Sequence, residues 1–136
     1  ILSNFNGKQS MSTRSFICIE DAEHGYRGIY CHYDGYPEHV GKLLVEFHNS
    51  LDAAESIVHG PQVRNLDSDG LVVRFGDGTP DDSEVYLGIE DALNSGFDYV
   101  YLYDDDCWPA RWRCFKRDSI YKSVLDEVRI PTREVA

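Results

Sequence analysis

The chain has 136 residues, 42% of them hydrophobic and 12% aromatic, enough for one packed core and too apolar for disorder. Against 24 Asp and Glu stand 13 Lys and Arg, a net charge of −11 that opposes phosphate backbones and argues against direct nucleic-acid binding. No apolar run approaches the roughly 20 residues needed to span a bilayer, so no membrane association is expected.

Residues 1–10 (ILSNFNGKQS) lack periodicity and read as a tag or upstream extension. From Met11 a regular pattern begins, and residues 11–136 read as a single domain. Ser15 to Glu20 and Arg27 to Tyr33 alternate as strands, with a Gly-containing connection between them, so they predict an antiparallel hairpin. Tyr36, Val40, Leu43, Leu44 and Phe47 form a helical stripe, with Asp34 placed as its cap and Pro37 in the first turn. A second helix is predicted from Leu51 to Val58, capped by Ser50 and stopped at His59-Gly60-Pro61.

Gly60 to Gly70 reads as loop, Leu71 to Phe75 as a strand, Glu84 to Leu87 as a short strand, and Ile89 to Asn94 as a short helix. Asp98 to Asp104 is the strongest strand, with Tyr99, Tyr101 and Tyr103 on one face and Val100 and Leu102 on the other. Arg111 to Lys116 returns beside it. A final helix capped by Asp118 would bury Ile120, Tyr121, Val124, Leu125 and Val128. The expected class is α+β, an antiparallel sheet with helices packed on one face.

Four cysteines, Cys18, Cys31, Cys107 and Cys114, form no C-x-x-C pair and match no zinc spacing. They read as free thiols in a reducing cytoplasm, with no cofactor and no metal implied. Asn65 to Gly70 resembles half of a calcium loop, but its twelfth position is Gly76 and a strand follows where a helix is required. No phosphate-binding glycine loop and no nucleophile elbow is present.

The remaining candidates are two. Tyr30-Cys31-His32-Tyr33-Asp34-Gly35-Tyr36 places His32 at a strand end and Asp34 at a helix start, where a His and a carboxylate could act together on a ligand. The plainer account makes Asp34 a cap and Gly35 the residue with special backbone freedom, while His32 and Tyr36 pack. Asp104, Asp105 and Asp106 form the densest acidic run, on an expected solvated hairpin tip; Asp77, Asp81 and Asp82 form a second. The segment Trp108 to Arg117 carries four basic residues among three aromatics. It reads as a salt-bridged outer face above an aromatic core face.

With MSTRSFICIE at Met11, IYCHYDGYPEHVGKLLVEFH at Ile29 to His48 and DYVYLYDDDCW at Asp98 to Trp108, the chain resembles a group of small uncharacterised phage and prophage proteins. Its members begin M-S-T-R-S and carry Y-C-H-W-D-G-Y before a helix; this sequence has Tyr33 in place of the tryptophan and a longer segment after Phe115. The resemblance implies a cytoplasmic protein of a virus or mobile element, and it implies no activity.

The expected function is therefore a non-catalytic acidic accessory protein that binds a basic surface on a host protein, as a DNA mimic or inhibitor of host defence. His32, Asp34, Tyr36, Asp104, Asp105 and Asp106 are its candidate binding residues, and a homo-oligomer stays open. A nucleotide or small-molecule binder using the His32 and Asp34 region is the alternative. A small metal-dependent hydrolase is the third reading.

Overall fold

A computed structural model of the protein describes residues 13–117 and 125–132. Most of the expected final helix, residues 118–124, and the segment 1–10 lie outside the described residues. One eight-stranded sheet organises the rest.

β1 (Ser15–Asp21) and β2 (Gly25–Cys31) form the predicted hairpin, Ser15 facing Cys31 and Asp21 facing Gly25. A π-type turn, Pro37–Gly41, leads into α1 (Lys42–Phe47), and α2 (Leu51–Val58) follows. Next come β3 (Val63–Leu66), β4 (Val72–Arg74), β5 (Glu84–Tyr86) and α3 (Ile89–Asn94). β6 (Tyr99–Asp104), β7 (Arg111–Arg117) and β8 (Leu125–Val128) complete the order. The sheet runs β4-β3-β2-β1-β6-β7-β8, with β5 also paired to β2.

The sheet is mixed, which corrects the expectation of an antiparallel one. β1 lies parallel to β6 over Ser15↔Tyr99 to Ile19↔Tyr103, and β2 meets β3 in parallel at Cys31↔Val63. Parallel neighbours cannot be joined by a tight turn. Here everything from β2 to α3 intervenes between the two central strands, so no local turn signal announces their pairing.

Helices cover both faces, which corrects the expectation of one. On one side α1 and α2 press Leu43, Leu44, Ala54, Ile57 and Val58 onto Ile17, Ile19, Ile29, Tyr101, Tyr103 and Trp112. On the other, α3 supplies Ile89, Ala92 and Leu93 against Phe16, Cys18, Val100, Leu102 and Phe115. The physical reason is visible in Phe16-Ile17-Cys18-Ile19, a continuous apolar run suited to a strand buried on both sides. Full burial of a side chain such as Phe16 or Ile17 contributes about 1.5–3 kcal/mol each.

Ser50 caps α2, its hydroxyl accepting from the Ala53 amide at 3.1 Å. The predicted cap at Asp34 is not formed: Tyr36 occupies the position before Pro37, and no side chain caps that turn. The amide of Lys42 reaches back to the carbonyl of Pro37, the wider spacing of a π turn. That extra residue shifts the helical stripe, and Phe47, expected in the core, is 46% exposed, its ring covering Gly70. Part of the expected loop from Gly60 to Gly70 is β3, and Leu125 and Val128, placed by periodicity on a helix, belong to β8 antiparallel to β7.

Candidate functional site

The segment after β2 continues along β3, with His32 N donating to the Val63 carbonyl and Tyr33 N to the Arg64 carbonyl. Residues two apart share a strand face, and so the Tyr30 hydroxyl meets Nδ1 of His32 directly. The imidazole also lies edge-on to Tyr33 at 4.3 Å and to Phe75 at 5.9 Å. His32 is thus engaged by Tyr30 and packed among rings. Cys31 is buried beneath, and its thiol is pushed up to about 12 by that burial.

Asp34 adopts φ +57°, the left-handed conformation that the sequence assigned to Gly35. Gly35 is needed for a different reason. A Cβ there would come within 2.8 Å of Ser15 Cβ and 2.9 Å of the Thr13 carbonyl oxygen. Its amide donates to that carbonyl, and its own carbonyl accepts from the Tyr101 hydroxyl at 2.7 Å. Tyr36 leads into the π turn, half-buried, its ring 6.2 Å from that of His39. The motif ties the start of β1, the end of β2 and the middle of β6 together.

Asp104, Asp105 and Asp106 sit at the other end of the sheet. Strand register sets the two apart: Cys31 is level with Ser15 and Tyr99, whereas Asp104 follows Tyr103, which is level with Ile19. Five residues of strand separate these levels by about 16 Å. The six candidate residues therefore fall into two groups, and the structure does not bring them into one site.

At the acidic end, Asp104 is not a freely solvated tip residue. Arg113 Nη1 donates to its Oδ2 at 2.8 Å, and the amide of Asp106 donates to its Oδ1 at 3.0 Å. Partial burial works against the charged carboxylate of Asp104, but the Arg113 guanidinium and the turn amide outweigh it and hold its pKa below the usual value. Arg113 is also gripped by both carboxylate oxygens of Glu127, at 3.0 and 2.7 Å, and its pKa is raised by Glu127 first and Asp104 second. The expected salt-bridged outer face above Trp112 is present at this residue.

Asp105 and Asp106 are exposed. Glu20, at the end of the neighbouring parallel strand, shares a hydrogen bond with Asp106 and feels the charges of all three aspartates, which raises its pKa. Trp108 follows on the same turn, 95% exposed, before a cis peptide bond to Pro109. Sequence reasoning missed both Glu20 and Trp108. The available signal was a tryptophan two positions after the acidic run at a hairpin tip, where no core lies to receive it.

The second acidic loop orders itself. His59 Nδ1 pairs with Asp81 at 3.0 Å and, together with Ser83, holds that carboxyl well below the usual range. Asp82 accepts from Thr79 and from the amide of Gln62. The half calcium loop is the turn joining β3 to β4: Asp67 Oδ1 accepts from the amides of Asp69 and Leu71. Among the described residues, no three His, Cys, Asp or Glu side chains are grouped to hold a metal ion. All four cysteines are free, and three are buried. No described helix is long and apolar enough to cross a membrane.

Compared with protein-family models, curated proteins and solved structures, the chain matches none of them.

Proposed function

We propose that this protein is a non-catalytic accessory protein of phage or prophage type, docking the end of its sheet that carries Asp105, Asp106 and Trp108 onto a basic host protein in the cytoplasm. The observation that supports this most is the exposure of Trp108, 95%, beside two solvent-facing carboxylates on one short turn. Binding energy at interfaces concentrates in a few residues, tryptophan foremost, that fill a partner's pocket inside a polar rim. An indole standing in water gains from such a pocket, and the carboxylates around it steer a cationic surface toward it.

The turn is braced for the task. Asp104 holds the Asp106 amide and Arg113 together, and the Cys107 thiol lies 3.2 Å from the Asp104 carbonyl oxygen. A rigid turn loses little entropy on docking. Carboxylates clustered at one end, on a chain of net charge −11, favour a partner whose own groove is built for phosphates. That makes a DNA-handling host protein the fitting class, and the resemblance to phage proteins agrees with it.

The test is capture from host lysate on three full-length baits: wild type, Trp108→Ala, and the double variant Asp105→Asn with Asp106→Asn. All three changes are at exposed positions, so every bait should stay folded. A partner retained by wild type and lost from both variants supports the reading. A partner held equally by all three baits overturns it.

A further inference from the structure

On the face of the sheet covered by α3, a cavity of about 270 Å³ opens between β2, β5 and the segment leading to β6. Three of the residues lining it are aromatic: Tyr30, Tyr86 and Phe97. The Phe97 ring stands 5.9 Å from Tyr30 and 6.2 Å from Tyr86, and Phe16 backs it from the core at 5.1 Å. Cavities that take drug-sized ligands run from roughly 300 Å³ upward, so at about 270 Å³ this one suits a ligand at the small end of that range. The Tyr30 hydroxyl is fixed by His32 behind it, which holds the ring in place.

The rim is polar and carries both signs of charge. Arg14 and Glu84 line the same cavity without pairing to each other, and Arg14 makes no ion pair among the described residues. Gln62 adds an amide. In a chain with an excess of carboxylates, an arginine that pairs with none among the described residues, beside three half-buried rings, fits an anionic aromatic ligand. Glu84 asks in addition for a hydrogen-bond donor at the ligand's other end. Stacking is tolerant of which base is bound, whereas a carboxylate selects an exocyclic amine.

We propose that this cavity binds a mononucleotide whose base carries an exocyclic amine. The base stacks on one ring of the Tyr30, Tyr86 and Phe97 cluster, whose planes are inclined at 47° and 86°, and meets the others at their edges; its amine lies toward Glu84, and the phosphate meets Arg14. Such a ligand carries little charge compared with a nucleic acid, so the protein's net charge does not exclude it. The site is separate from the Trp108 turn and stands or falls independently of it.

Titration calorimetry of the full chain tests this with CMP and AMP, and with UMP and IMP as counterparts lacking the amine. Cytidine and inorganic phosphate complete the set. CMP or AMP is expected to bind saturably below millimolar concentration, more tightly than UMP or IMP. Arg14→Gln should weaken the nucleotide by about tenfold, the scale of one charge-assisted hydrogen bond, and leave cytidine unchanged. Tyr86→Leu should weaken nucleotide and nucleoside together. Arg14 and Glu84 are exposed, so Arg14→Gln and Glu84→Gln leave folding intact, and Glu84→Gln should abolish the preference for the amine. Absence of saturable binding at millimolar CMP and AMP overturns the proposal. So does inorganic phosphate, UMP or IMP binding as tightly as the amine-bearing nucleotides, or wild-type affinity in both Arg14→Gln and Tyr86→Leu.

Discussion

The hydroxyl of Tyr101 donates a 2.7 Å hydrogen bond to the carbonyl oxygen of Gly35, 66 positions earlier in the chain. Both groups are buried, and burial drives the Tyr101 phenol far above its ordinary pKa. Tyr101→Phe keeps the ring in the core but leaves the Gly35 carbonyl without its donor. A buried acceptor stripped of its partner costs about 1–3 kcal/mol. Urea denaturation should show that loss with an unchanged slope; an unaltered midpoint would mean that solvent reaches the carbonyl.

Asp34 offers a sharper comparison, because two structural roles predict different substitution patterns. A helix cap tolerates Ser and Thr. A residue held at φ +57° tolerates Gly and Asn but not a β-branched side chain, for which the left-handed region is strained. Asp34→Asn is therefore expected to match wild type, and Asp34→Thr to lose about 1–2 kcal/mol. Thermal melts of the two variants decide between the roles. Equal melting of both would restore the cap.

What the sequence disclosed follows the range of each interaction. The cap at Ser50, the helix Ile89–Asn94 and the alternation of Tyr99, Tyr101 and Tyr103 depend on neighbours a few residues apart, and these elements form as expected. The parallel pairing of β1 with β6 depends on residues such as Arg14 and Asp98, 84 positions apart, whose contact no local pattern encodes. The π turn at Pro37 likewise broke a 3.6-residue stripe that looked intact, which is why Phe47 escaped the core. At the site, the acidic run itself was legible. Its neighbours were not, since Glu20 and Arg113 reach it only through strand pairing. The partner of His32 was accessible from period-two spacing alone, because Tyr30 lies on the same strand face.

Glu20 gives a pH prediction whose sign is set by its neighbours. Its folded pKa is raised, by the hydrogen bond with Asp106 first, then by partial desolvation and the nearby aspartates. A carboxyl raised in the folded state contributes stability that is complete below its unfolded pKa and lost as pH rises through the folded value. At neutral pH the ionised Glu20 therefore works against the fold. Glu20→Gln should be more stable than wild type at pH 7, and the difference should close below about pH 4, where the unfolded carboxyl is protonated too. Urea midpoints at pH 7 and pH 3 measure it. An equal gap at both values would assign the effect to packing.

The Trp108 turn allows association and dissociation to be separated. Carboxylates act over distance, so Asp105 and Asp106 should govern the on-rate for the captured partner. The screening length is about 8 Å at 0.15 M salt and about 3 Å at 1 M, so that attraction should fade across this range. Asp105→Asn with Asp106→Asn should slow association at low salt and flatten its salt dependence, with the off-rate little changed. Asp104 is left intact in this design because it anchors Arg113 and the turn amide. Trp108→Ala acts at contact range, through the area of indole removed from water. It should speed dissociation by about tenfold or more, the effect of losing at least 1.4 kcal/mol, and leave the salt dependence of association as in wild type. Surface plasmon resonance of the three proteins across that salt range resolves both rates. A salt-independent on-rate for wild type, or an off-rate indifferent to Trp108, would place the interface elsewhere on the molecule.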